Sequence, residues 1–450
     1  MNNSSEMQKK DLLILLICII IGAIIGLFPL WNMIFLFVIV AGIISIFSIM
    51  VLNIRYDYIV MLNIVLQAIV MFDPSPSEIL FFILLLFGFI NGKMRFEKIE
   101  EQIFFCALFS GFLIINLIGL FNMIDPYWGI RYFMITFYLL VLALFFFLYT
   151  NKENVIYIMR AYFLSTIISA LLGFLGYMGF YSHILMYDEF RMQALFKDPN
   201  VFGPFLIPSV IILIDDLKSR KVLGNHISLY IFSIGLIILG TIFSFSRGAW
   251  ISLLVSILVY YLLNIKKYSM KKIIITLLIL SLCIYFIWFY IFDNGLREFF
   301  YSRSSLQSYD TGRFTSQKIG LSLAAKKVFG YGPGQYELVA LEEMGVEFSA
   351  HSLYIRLILE NGIIGFILFM VAFLYIIFNL YKLHHKEDKN IFITSSLLIS
   401  ILAGIMVNSL VIDTLHWRHL WLFMGVSLSL INERKGSAIR EEGFFENRNN

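Results

Sequence analysis

The chain has 450 residues, of which 60% are hydrophobic and 14% charged, with a mean hydropathy of +0.85 and a formal net charge of +4. Soluble domains carry about a quarter charged residues, so this composition excludes an ordinary soluble domain and points to a polytopic membrane protein. Three cysteines, Cys18, Cys106 and Cys283, lie inside apolar runs and outline neither a disulfide framework nor a zinc site. No P-loop, GxGxxG, HExxH or nucleic-acid-binding pattern occurs.

In chain order, apolar runs long enough to approach or cross a hydrocarbon core of about 30 Å predict spans at 11–30, 31–52, 57–73, 78–92, 101–121, 130–149 and 154–180. Further spans are expected at 200–217, 227–245, 248–264, 272–292, 352–381, 391–412 and 416–431. The runs at 78–92 and 416–431 are short enough to be re-entrant. Residues 11–30 have no clear small-residue cleavage site and read as a retained span rather than a signal peptide. The expected fold is an all-α polytopic membrane helix bundle of about 12–14 transmembrane helices with one large extracytoplasmic loop. Its regions divide as N-terminal spans 1–190, core spans 191–292, the large loop 293–350, C-terminal spans 351–431 and a tail 432–450. Both polar ends, 1–10 and 432–450, are expected to be mobile.

Orientation follows the distribution of Lys and Arg between loops. With Lys9 and Lys10 inside, every second loop is basic through Lys382, Lys386 and Lys389 to Arg434 and Lys435. Both termini are then cytoplasmic in a cytoplasmic-membrane protein, and segment 293–350 faces out. Its stretch QKIGLSLAAKKVFGYGPGQYE predicts an amphipathic helix at about 316–328 ended by a Gly-rich turn.

The basic residues that break this alternation carry the functional reading. In LGTIFSFSRGAWISLL, residues 239–254, two apolar runs meet at Arg247. A boundary cation is costly and usually faces a partner or a wet cavity, against the plainer reading of snorkelling to headgroups. Arg191, Arg313 and Arg356 share the outer side, with few neighbouring acids in sequence. Guanidinium forks match phosphate oxygens, so a lipid diphosphate presented outside fits this set. RMQALFKDPNVFG (191–203) supplies Lys197 and a helix start that Asp198 can cap, with N–H groups that favour anions. DTGRF (310–314) places Arg313 in the outer loop. AHSLYIRLILENGIIGF (350–366) opens a span with His351, whose neutral imidazole suits proton abstraction from a sugar hydroxyl. A hydrogen bond at the helix start is its structural alternative. Arg356 and Glu360 read as a pair. HWRHLW (416–421) holds Arg418 between His416 and His419, with Trp417 and Trp421 as an interfacial belt. No His, Asp or Glu cluster has metal-ligand spacing, so fixed arginines would do the work of a metal ion.

FKDPNVFG, SFSRGAW, TGRF, FGYGPGQYE, HSLYIRLILENGIIGF and HWRHLWLFMG occur in that order across roughly residues 190–430. In these motifs, and in its single long outer loop near the C-terminus, the chain resembles the O-antigen ligase and O-antigen polymerase family of bacterial envelope proteins. The resemblance implies metal-independent, cofactor-independent, inverting glycosyl transfer from an undecaprenyl-diphosphate-linked oligosaccharide to a lipid-linked acceptor. It implies a catalytic set of Arg247 and Arg313 on the diphosphate and His351 on the acceptor, with Arg191 and Lys197 holding phosphate or sugar. Arg356 and Arg418 complete the expected substrate-binding set. Membrane lipid and other polysaccharide-assembly proteins are the expected partners, and nucleic acid is not. A lipid-linked glycan exporter or secondary transporter, and a non-catalytic assembly scaffold, are the alternatives. A transporter would place ionisable groups near the bilayer midplane and broken helices in both halves.

Overall fold

The computed structural model describes residues 56–90, 92–94, 100–266, 294–305, 308–345, 349–385 and 393–449. The expected spans 11–30, 31–52 and 272–292 lie outside the described residues. Among the described residues there are fifteen α-helices and no strand, only one isolated bridge between Met186 and Met192.

In chain order the helices are α1 (Tyr56–Leu66), α2 (Pro76–Ile90), α3 (Glu100–Gly119), α4 (Pro126–Tyr149), α5 (Val155–Tyr177), the single turn α6 (Ser182–Leu185), α7 (Pro199–Asp216), α8 (Ile227–Phe243) and α9 (Arg247–Leu263). They continue with α10 (Asn294–Ser304), α11 (Ser308–Ala324), α12 (Tyr336–Met344), α13 (Leu353–His384), α14 (Ser395–Asn408) and α15 (Arg418–Asn449). Five are long and apolar enough to cross a membrane: Ile103–Asn122, Pro126–Tyr149, Val155–Tyr177, Pro199–Asp216 and Leu353–His384. Five shorter apolar helices accompany them: α1, α2, α8, α9 and α14. The chain is therefore a multi-pass membrane helix bundle.

Local signals explain the helix starts. Asp125 and Asp198 accept from the N–H of Tyr127 and Asn200 ahead of Pro126 and Pro199, the residue type whose missing N–H suits a first turn. Ser246 and Thr394 cap α9 and α14 by accepting from Ala249 and Leu397 N–H.

The bundle closes through small residues. Helices α9 and α14 form its most extensive contact, where Ser252 Oγ donates to Gly404 O at 2.7 Å. A Cβ at Gly404 would lie 2.0 Å from Ser256 Oγ, so the two backbones approach as closely as small side chains permit.

Polar groups gather at the two ends of the bundle. At one end Asp216 accepts from Val222 N–H and Tyr230 Oη, and Asp215 from Tyr260 and Thr394 hydroxyls. At the other end lie the starts of α7, α9, α13 and α15, and all the singled-out arginines.

The segment between α9 and α13 locks into that second end. Helix α13 is broken at Gly362, whose φ of 67° and ψ of −178° suit a residue without Cβ. The groups freed there are met by the Gly-rich turn: Tyr331 N–H donates to Leu359 O, Gly332 N–H to Glu360 O, and Ile363 N–H to Val328 O, at 2.9 to 3.1 Å. The Glu360 carboxylate accepts from the N–H of Gly334 and Tyr336, and Gln335 Oε1 from Ile124 and Asp125 N–H. The loop is thus folded onto α3, α4 and α13.

Two expectations are corrected. The loop helix spans Ser308–Ala324 rather than about 316–328, so Arg313 is helical, and the chain leaves the helix early to reach the carbonyls at the α13 break. Helix α15 continues through the tail to Asn449. Trp417 and Trp421, expected at an interface, are buried, and Trp421 Nε1 donates to Leu415 O at 2.6 Å.

Candidate active site

The site is organised around the turn from α8 to α9. Phe245 takes a left-handed conformation with φ of 49°, and Ser246 caps the helix that begins at Arg247. Two guanidiniums grip consecutive carbonyls of this turn: Arg191 Nε donates to Ser244 O at 3.1 Å and Arg303 Nη2 to Phe245 O at 3.3 Å. Arg247 Nη1 in return donates to Ser305 O at 3.2 Å. Helix α10 is seated by aromatics, with Phe299 edge-on to Phe245 at 4.9 Å and Phe300 stacked on Trp250 at 5.2 Å.

A cavity of about 220 Å³ opens at this junction. Its polar wall carries Arg247, Arg303 and Arg313 with the amides of Asn200, Gln317 and Asn408. Its apolar wall is Ile251, Phe314, Val411 and Ile412, of which Ile251, Phe314 and Val411 are exposed. The start of α9 adds N–H groups and the positive end of a 17-residue helix. An anion with an apolar tail matches these two walls.

His351 lies beside the cavity. Its φ of 42° is uncommon for a residue with a side chain. Gln317, from the cavity wall, donates to both His351 O and Leu410 O at 3.2 Å, and Leu353 N–H donates to Ser409 O. Burial, then the Arg313 charge, pushes the His351 imidazole below its ordinary pKa of 6.5, so it is held neutral.

The other expected residues divide between two settings. Arg191 is 6% exposed, touches Asn200 Oδ1 at 3.2 Å behind the cavity, and has its pKa lowered by burial and then by Arg303. Lys197 stands apart, with its ammonium 2.5 Å from Asp73, which also pairs with Arg131.

Arg356 is 4% exposed and surrounded by acids. Nη1 meets Glu360 at 2.6 Å, Nη2 meets Glu337 at 2.7 Å, and Nε lies 2.9 Å from Asp413. Burial raises the Asp413 carboxyl, but Arg356 and then His416 outweigh it and hold its pKa at about 2. Arg418 pairs with Glu78. At Arg356, Arg418 and Lys197 the expected shortage of acids does not hold, because their charges are met by carboxylates.

The sequence reading passes over Arg303, one of six basic residues in 293–350. The available signal for Arg303 was the Phe299–Phe300 pair beside it, an apolar anchor in an otherwise polar helix.

No curated protein matches the chain. The family model described as O-antigen ligase matches residues 232–370, which run from α8 into α13 and hold Arg247, Arg303, Arg313, His351 and Arg356. The match covers less than half of the chain, and that region is similar to the family described as O-antigen ligase.

Proposed function

We propose that the chain is a membrane glycosyltransferase that moves a glycan from undecaprenyl diphosphate to the hydroxyl of a lipid-linked acceptor, with inversion, on the outer face of the cytoplasmic membrane. The acceptor is another lipid-linked repeat unit, as in a polymerase, or a lipid core, as in a ligase. The reading is carried by one observation: three arginines and a helix N-terminus converge on a cavity whose opposite wall is apolar.

As the glycosidic bond breaks, charge develops on the diphosphate. Arg247 and Arg313, preorganised in a partly dehydrated site, stabilise that charge, and losing one such donor typically costs ~10²–10³ in rate. His351 accepts the proton of the acceptor hydroxyl, an effect of roughly 10²–10⁴. The exposed Ile251, Phe314 and Val411 side of the cavity suits the first isoprenoid units of the carrier. Fixed guanidinium charge takes the part that a metal ion plays in other diphosphate chemistry.

The test is turnover of an undecaprenyl-diphosphate-linked oligosaccharide by the protein reconstituted in lipid. Release of undecaprenyl diphosphate with chain growth is expected, falling by at least ~10²-fold in Arg247→Ala and Arg313→Ala. Uptake of the lipid-linked glycan without turnover would replace this reading with transport.

A further inference from the structure

We propose that Arg303 is a third catalytic arginine, engaging the charge that appears on the diphosphate as it leaves. This rests on the glycosyl-transfer reading and deepens it.

Three observations single out Arg303. It lines the same cavity as Arg247 and Arg313 although it comes from a different helix, α10. It is fixed there by the aromatic seat of α10 and by its bond to Phe245 O, beside the Ser244 carbonyl that Arg191 holds. It stands close enough to Arg191 for its charge to depress the ionisation of that buried guanidinium. Three guanidiniums from three helices thus meet at one cavity, and an anion of higher charge can engage more of them.

The chemistry supplies that anion. In the donor, both phosphates are esterified and the diphosphate carries two negative charges. When the sugar C1–O bond breaks, its electron pair leaves on the diphosphate oxygen. The acceptor oxygen forms the new C1–O bond, and its proton passes to His351 and then to water. The freed diphosphate carries a third charge above the second phosphate ionisation, near ~6. Arg247 and Arg313 engage the donor diphosphate, and Arg303 engages the charge that appears on departure. An interaction gained only on the way to product raises kcat without tightening donor binding.

The experiment uses the full chain in lipid, with the lipid-linked oligosaccharide as donor and inorganic diphosphate as inhibitor. Arg303→Gln is expected to lower kcat by ~10²-fold and to weaken inhibition by inorganic diphosphate at least tenfold, while the donor KM moves by less than about threefold. Arg303→Lys should restore part of both losses. The ratio of donor KM to diphosphate inhibition does not depend on how much protein folds. A residue that only pinned the α8–α9 turn would weaken donor and diphosphate together, and that result would overturn the assignment. Unchanged kinetics in Arg303→Gln would overturn it too. Absence of diphosphate release by the unsubstituted protein is a separate failure, of the glycosyl-transfer reading itself, and removes both.

Discussion

His351 links local strain to pH dependence. A general base works in its neutral form, and burial with the Arg313 charge keeps the imidazole neutral below the ordinary pKa of 6.5. Activity should therefore persist at mildly acidic pH and fall as pH drops through that lowered pKa. The same sign applies to folding: a histidine held neutral contributes stability above its unfolded pKa and loses it as pH falls. Arg313→Gln removes a repelling charge, so the acid limb of its pH–rate profile should move to higher pH. A limb that stays in place would separate His351 from Arg313.

The residue scale also shows what a single chain discloses. Arg247 was legible because a cation between two apolar runs is costly wherever it lies. The carboxylates around Arg356 were not, apart from Glu360: Glu337 comes from the loop and Asp413 from the far end of α14. Arg418 likewise finds Glu78 across 340 positions of sequence. Pairings of that separation leave no local pattern.

At the scale of elements, the loop is attached rather than suspended. The Gly330–Gly334 turn meets the break in α13, and Arg356 joins α12, α13 and the segment after α14 through three carboxylates. Removing one partner of such a buried set leaves uncompensated charge, at a cost of about 3–5 kcal/mol. Arg356→Met should therefore lower Tm and open residues 330–340 to protease. An unchanged Tm with a raised donor KM would instead assign Arg356 to substrate. The apolar runs located the helices of the described residues, because such a run has few alternatives in a bilayer. The amphipathic pattern misplaced the boundaries of α11, since those depend on where the chain must go next to satisfy the α13 break.

Across the whole molecule, the expected spans that fall within the described residues each coincide with a helix, and the singled-out arginines collect at one end of the bundle. The basic loops Lys152, Lys218 and Lys266 lie toward the opposite end, near the ends of α4, α7 and α9. That division is what the charge rule requires if the cavity faces away from the cytoplasm. A carrier presenting its glycan outside would then find the guanidiniums on its own side.

The most direct measurement is sidedness. Ser322 on α11 is exposed, and Ser322→Cys, introduced with the three native cysteines replaced, can be probed in intact cells with a membrane-impermeant maleimide. The account predicts labelling from outside without permeabilisation. Labelling only after the membrane is opened would put the arginine cavity on the cytoplasmic side and contradict it.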